Sequence, residues 1–227
     1  MRSFLLGAKT DGSFNIPFAV EKAGPKSPDW VFGEAVDNNT YAAVELYDKL
    51  SLDVGFEIDI DWDAHISDGG WARFMNAWNP DMTTGFGYGI IPGNATYIFG
   101  DLNQKRMTSY ASDSVGRHKF SFNLNNSRKL EIDGVVKVSE MAVGPVSAPT
   151  NNPFLLLFAN YNGYFWQGNN GYCYSGKVYY VKVTDGDSLV RDCVPAIDSD
   201  GNGALYDRVS GTFMTNRGTN PLTYGWD

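Results

Sequence analysis

Three carboxylates at two-residue spacing are the sharpest chemical feature of the chain. They lie in Val54-Gly55-Phe56-Glu57-Ile58-Asp59-Ile60-Asp61-Trp62. An extended strand points successive side chains to opposite faces. Glu57, Asp59 and Asp61 therefore share one face, and Val54, Phe56, Ile58, Ile60 and Trp62 share the other. Carboxylates gathered on one surface are the equipment of glycoside hydrolysis, in which one acts as nucleophile or base and another as acid. A retaining pair needs its carboxyl groups about 5–5.5 Å apart. Residues four apart on a strand start about 13 Å apart. Asp61 is also a methylene shorter than Glu, which makes convergence harder. The competing reading is the solvated face of an amphipathic strand.

A second feature is Asn160-Tyr161-Asn162-Gly163-Tyr164-Phe165-Trp166-Gln167-Gly168-Asn169-Asn170-Gly171-Tyr172. Aromatic rings offer flat faces to sugar C–H bonds, and Asn and Gln amides both donate to and accept from hydroxyls. Tyr161, Asn162, Tyr164, Trp166, Gln167 and Asn169 are the ligand-binding residues expected from this segment. Phe165 and Trp166 cannot face the same way on one strand, so one of them is expected at the surface. Core packing of the rings, with Asn and Gly making turns, is the alternative.

A third feature is Asp198-Ser199-Asp200-Gly201-Asn202-Gly203, which puts oxygens at alternate positions as a calcium loop does. Asp198, Asp200 and Asn202 would be its ligands. The twelfth position from Asp198 is Val209 rather than Glu, and the glycines fall at positions four and six, so the segment reads first as a turn. No metal ligand set is called for elsewhere. His65 and His118 lie far apart, and no Cys/His cluster suits zinc. Neither a nucleophile elbow nor a nucleotide-binding loop is present. Gly85-Phe86-Gly87-Tyr88-Gly89 has no helix after it to cradle a phosphate.

The elements that must position these residues are strands. The 227-residue length suits one all-β sandwich. The 43% hydrophobic and 15% aromatic content can fill its core. The 25 Gly and 10 Pro are spread along the chain and supply many turns. Alternation predicts strands over 54–62, 71–78, 85–91, 96–99, 119–124, 129–132, 135–138, 154–159, 177–183 and 188–194. Asp133-Gly134 reads as a tight hairpin turn, and Asp185-Gly186 is one of several turn signals that separate strands. Helical periodicity is weak, and only 39–50 fits a helical turn about as well as a strand. Residues 1–29, with Gly24, Pro25 and Pro28 near their end, read as an arm or peripheral strand, and 30–227 as the main domain. Residues 145–153 read as a long connection between sheets.

A formal net charge of −8 repels phosphate backbones and anionic membrane surfaces, so neither nucleic acid nor membrane is an expected partner. The N-terminus has one Arg, a very short apolar run and an early Lys9 and Asp11, which do not make a signal peptide. Synthesis in the cytoplasm is expected. Cys173 and Cys193 are too few for a disulfide framework and read as reduced thiols, with pairing left open.

The last third carries a family resemblance. It runs Gly176-Lys177-Val178-Tyr179, then Asp185-Gly186, then Leu189-Val190-Arg191-Asp192-Cys193-Val194-Pro195, then Gly203-Ala204-Leu205-Tyr206-Asp207-Arg208-Val209-Ser210-Gly211-Thr212-Phe213-Met214-Thr215-Asn216. This resembles the closing strands of laminin-G-like, concanavalin A-like domains of phage structural proteins and gut-bacterial surface proteins. Their pattern is "K-I/V-Y", "D-G", "L-V-R-D-x-V-P" and "G-L-Y-D-x-V-x-G-x-F-x-x-N". The match is close over about residues 153–220, weaker upstream and absent over 1–40. Ala204 departs from the pattern's usual small residue or Gly. The residues support the motif independently. Leu189 and Val194 can pack inward, Tyr206 can bury its ring, Gly211 suits a positive φ, and Arg191 can pair with Asp207.

The resemblance implies an all-β, concanavalin A-like jelly-roll sandwich of two antiparallel sheets. It implies a non-catalytic recognition or adhesion module for glycan or a partner protein, with a place on a phage virion (tail, baseplate or capsid surface) or a cell surface. Homo-oligomers or other virion proteins are further partners it implies, and Ca²⁺ is the one cofactor it suggests. Glycoside hydrolases share this jelly roll and carry an E-x-D-x-E strand. By that likeness Glu57 would be nucleophile, Asp59 its partner and Asp61 the acid/base, acting on β-glucan or galactan. A purely structural, self-assembling virion protein is the third reading.

Overall fold

The computed structural model describes residues 27–37, 40–48, 54–62, 72–78, 85–90, 96–99, 107–110, 116–123, 130–138, 155–159 and 175–227. All regular structure among them is β. In chain order the strands are β1 (Trp30–Gly33), β2 (Ala35–Asp37), β3 (Thr40–Tyr41), β4 (Val44–Tyr47), β5 (Val54–Trp62), β6 (Ala72–Trp78), β7 (Gly85–Ile90), β8 (Thr96–Phe99), β9 (Met107–Tyr110) and β10 (Gly116–Asn123). There follow β11 (Leu130–Ile132), β12 (Val135–Val138), β13 (Leu155–Leu157), β14 (Gly176–Asp185), β15 (Ser188–Ile197), β16 (Gly203–Asp207), β17 (Thr212–Phe213), β18 (Thr215–Asn216) and β19 (Thr223–Gly225). Within 39–50 the described residues include the strands β3 and β4, with Val44 and Leu46 facing the core.

A long antiparallel sheet runs in the order β12-β11-β10-β5-β14-β15-β16-β17, and β1 pairs with both β14 and β19 beside it. A second sheet runs β18-β4-β13-β6-β7. The inner faces of the two sheets meet in one core. Phe56, Ile58, Ile60, Phe120, Val178, Val181 and Val183 come from the long sheet, and Val44, Leu46, Leu155 and Leu157 from the short one. The alternation of β5 is thereby explained: its apolar side chains lose water, each contributing about 2 kcal/mol. Leu155, Leu156 and Leu157 are all fully buried, so both faces of the short sheet's central strand are covered.

The turns follow their residue types. Asp133 and Gly134 have φ of 52° and 76°. Positive φ at both central residues is the type I′ geometry that matches strand twist, and it joins β11 to β12 as expected. Gly211 takes φ 73°, also as expected.

Three expectations about packing need correction, and one is Val194, which was expected inward but is only partly buried between the buried Cys193 and Pro195. Leu189 was expected inward, but it is 45% exposed. The cause is a bulge: Val183 pairs with Arg191 and Thr184 with Leu189, leaving Val190 as an extra residue. Val190 packs on the core in its place, and Cys193 is the fully buried side chain further along. Tyr206 buries its ring only partly, edge-on to Phe213 at 5.4 Å between centroids, because β16 lies next to the sheet's last strand, β17.

Residues 1–26 and 145–153 lie outside the described residues. At 29, the Asp29 amide donates to the Gly225 carbonyl at 2.9 Å, so the chain is already tied to the sheet where β1 begins.

Candidate functional site

The outer face of the long sheet carries the candidate site. Register builds it from β10, β5 and β14. Asp61 pairs with Arg117 and Lys177, Asp59 with Lys119 and Tyr180, and Glu57 with Ser121 and Lys182. Acids on the central strand are thus flanked mainly by cations and a tyrosine on its neighbours. A bulge in β14 extends the set. Val178 pairs with Ile60 and Tyr180 with Asp59, so Tyr179 is the extra residue. Val178 and Val181 still both reach the core, while Tyr179 and Tyr180 both serve the polar face.

Each acid of the face is used differently. Asp59 is only 2% exposed, although it sits on the solvent side of β5. Arg117 covers it and donates twice, Nε to Oδ1 at 2.9 Å and Nη2 to Oδ2 at 3.0 Å. Such fork-on-fork pairing is the strong form of an ion pair. The hydrogen bond to Asp59 also raises the pKa of Arg117, keeping it charged. The guanidinium carbon of Arg117 lies 3.4 Å from the centroid of the Tyr179 ring, a cation–π contact that fixes it from the other side. Glu57 accepts the Tyr180 hydroxyl at 2.6 Å and has Lys182 Nζ at 3.8 Å. Burial, with Glu57 beside it, pushes the Tyr180 hydroxyl well above the ordinary tyrosine value, so it remains a donor. The Asp61 side chain makes no hydrogen bond to another described residue, and only its backbone takes part in the ladders with Arg117 and Lys177.

One end of the face is closed by Asp227. Its Oδ1 accepts Trp30 Nε1 at 3.1 Å and lies 3.9 Å from Lys177 Nζ, and its Oδ2 lies 3.6 Å from Arg117 Nη1. The Tyr179 hydroxyl bonds it too, and burial together with that carboxylate pushes Tyr179 up to about 12. Lys177 Nζ stands 4.5 Å over the Trp30 ring. Gly225 has no alternative here, since a Cβ would overlap the Trp30 indole.

A second buried carboxylate, Asp207, closes the opposite end of the sheet. It is fully buried and accepts backbone amides from Asp192 at 2.8 Å, Val209 at 3.1 Å and Ser210 at 3.1 Å. Burial alone would raise its pKa, but those amides and the Ser210 hydroxyl hold it below the usual carboxylate value. Arg191 Nη1 stands 3.7 Å away, the pairing expected from the motif. Cys193, beside it, is a buried thiol pushed up to about 12 by burial and by Asp207.

Of the residues picked out from sequence, Glu57, Asp59 and Asp61 do share one face. Within it, Asp59 is committed to Arg117 through both oxygens and not to Glu57. Tyr161, Asn162, Tyr164, Trp166, Gln167, Asn169 and Cys173 lie outside the described residues. Asp198, Asp200 and Asn202 form the loop between β15 and β16. There Asp198 Oδ1 accepts the amides of Asp200 and Asn202, both at 2.9 Å. That oxygen stabilises the turn. Among the described residues no three His, Cys, Asp or Glu side chains cluster at metal-binding spacing. His118, read as lacking a metal partner, is held through Nδ1 by Asp133 Oδ2 at 2.7 Å.

Sequence reasoning missed Arg117, Tyr179, Tyr180, Lys182, Trp30 and Asp227. One signal was available. Val178, Val181 and Val183 cannot share a face under strict alternation, so a buried β14 required a bulge near Tyr179.

No protein family's sequence profile matches the chain, and no curated protein matches it. Solved structures do. A native heptameric SAP-like pentraxin from Limulus polyphemus is similar at 9% identity, over 71% of this chain and 78% of that one, with a TM-score of 0.50. Domains LG4-5 of the mouse laminin α1 chain are similar at 14% identity, over 80% of this chain and 52% of that one, with a TM-score of 0.48. The fold is a concanavalin A-like jelly-roll sandwich of antiparallel sheets.

Proposed function

We propose that the chain is a non-catalytic recognition module that binds a glycan or a partner protein through the polar face of its long sheet, with the aromatic–Asn segment 160–172 contributing. A place on a virion, as a tail, baseplate or capsid-surface component, or on a cell surface is part of the proposal. The observation that carries it is the state of the β5 acids. Asp59 is clamped by Arg117 and Glu57 is held by Tyr180 and Lys182. The carboxylates therefore fix a rigid array of donors and acceptors, which is what recognition of hydroxyls or peptide groups needs. The Tyr, Arg and Lys side chains of the face are of the kinds that carry binding energy. The likeness of fold to a pentraxin agrees with this reading but does not supply a ligand.

The test is a glycan array probed with the purified chain, beside capture of candidate virion or host-surface proteins. Retention of a ligand by the native chain and its loss in Tyr180→Ala or Trp166→Ala is the expected result. Silence of every glycan would leave protein partners. Retention unchanged in both variants would overturn the assignment of the face and the segment.

One observation favours a second reading. Glu57 and Asp61 do lie on one face of β5, as a glycoside hydrolase would require. Release of reducing ends from β-glucan or galactan, lost in Glu57→Gln, would establish it.

A further inference from the structure

The corner around Asp227 is built like an occupied binding seat. Donors from two strands converge on one carboxylate: Trp30 Nε1 from β1, and Lys177 Nζ and the Tyr179 hydroxyl from β14. Arg117 Nη1 from β10 completes it. The backbone is gripped as well, because the Asp227 amide donates to Asp29 Oδ2 at 3.0 Å. Yet the hold is loose. Two of the contacts are 3.6 and 3.9 Å long, and the Asp227 side chain is 49% exposed. Exposed ion pairs of this kind contribute little net stability. Arg117, by contrast, keeps its stronger bonds to Asp59 whether or not Asp227 is present. Arg117 is therefore anchored by Asp59 rather than by Asp227.

We propose that this corner is a binding seat for the side-chain carboxylate of an acidic peptide segment on a partner protein, and that Asp227 fills it as an internal competitor. The inference rests on the reading of this face as a recognition surface and narrows the partner. A peptide is favoured over a sugar acid because the seat takes a main-chain N–H at Asp29 together with the carboxylate. A hexuronate offers the carboxylate without the peptide N–H. Adjacent Trp226 is 48% exposed and stands edge-on to Tyr224, so the displaced segment would leave without unpacking the core.

The probe is the tripeptide acetyl-Gly-Trp-Asp-amide, titrated calorimetrically into the full chain. Asp227→Ala vacates the seat and is expected to bind it at least about tenfold more tightly than the native chain, because the internal competitor is gone. Adding Trp30→Phe or Lys177→Gln to Asp227→Ala should reverse most of that gain, and raising salt should weaken binding. The matching Asn peptide should not bind. No gain in Asp227→Ala, at an unchanged thermal midpoint, would overturn the proposal. So would equal binding of the Asn peptide, or tighter binding of glucuronate, which would make the seat one for sugar acids. If these arms fail while Tyr180→Ala still abolishes retention of the native ligand, only the seat is wrong. If Tyr180→Ala has no effect, the recognition face itself is wrong.

Discussion

Two buried aspartates on the same sheet are stabilised in opposite ways. Asp207 is satisfied mainly by backbone amides at Asp192, Val209 and Ser210, close by in sequence and in the adjoining strand. Asp59 is satisfied by one side chain, Arg117, from a strand 58 residues away. The first arrangement closes a turn and fixes the end of the sandwich. The second builds a surface, since the guanidinium that neutralises Asp59 also meets Tyr179 and Asp227. A carboxylate bonded to amides is part of the frame, whereas one bonded to a half-exposed arginine sets the chemistry of a face.

The sharpest way to break this contrast is Asp207→Ala. It leaves three amide donors and Arg191 without their acceptor and should cost about 3–5 kcal/mol, read as the denaturant midpoint at constant slope. A loss below about 1 kcal/mol would remove Asp207 from the frame. Arg117→Ala comes next. It strands a buried Asp59 and should cost about 2 kcal/mol, less than a fully buried pair because Arg117 is half exposed. Adding Asp59→Asn to it should recover most of the loss, since no buried charge then remains.

Acid sharpens the comparison further. The folded pKa of Asp207 lies below its unfolded value, near 3.9. The folded state therefore binds fewer protons, and the resulting stability is present in full above that value. It is lost as pH falls through the folded pKa. Asp207→Asn should flatten the acid limb of stability measured between pH 5 and 2 (about that range, from the reference value). An unchanged limb would show that other carboxylates set it. Smallest of all, Tyr180→Phe removes one hydrogen bond to Glu57 and should cost about 1 kcal/mol in the same unfolding assay. A larger loss would make Tyr180 a structural residue rather than part of a surface.

The same contrast explains what could be read without coordinates. The Arg191–Asp207 pair and the positive φ of Gly211 were legible because both belong to the short motifs of the last third, whereas the amides that donate to Asp207 were not foreseen. The Asp133-Gly134 turn and the dry face of β5 were legible because period two and turn chemistry act over a few residues. The Arg117–Asp59 clamp was not. It depends on the β5–β10 register, which pairs Lys119 rather than Arg117 with Asp59 and leaves the clamp diagonal. Leu189 was misplaced, and Tyr179 missed, for a related reason. A bulge reverses alternation beyond the extra residue, and only pairing with the neighbouring strand reveals where it falls.

The decisive experiment reads binding and cleavage together. A glycan array, with β-glucan and galactan included, is incubated with the native chain and with Glu57→Gln, and each spot is then analysed for retained protein and for intact glycan. A recognition face leaves every glycan intact under both proteins, including any that retains the chain. Glycan cut by the native chain and spared by Glu57→Gln would turn the same three acids into a catalytic strand.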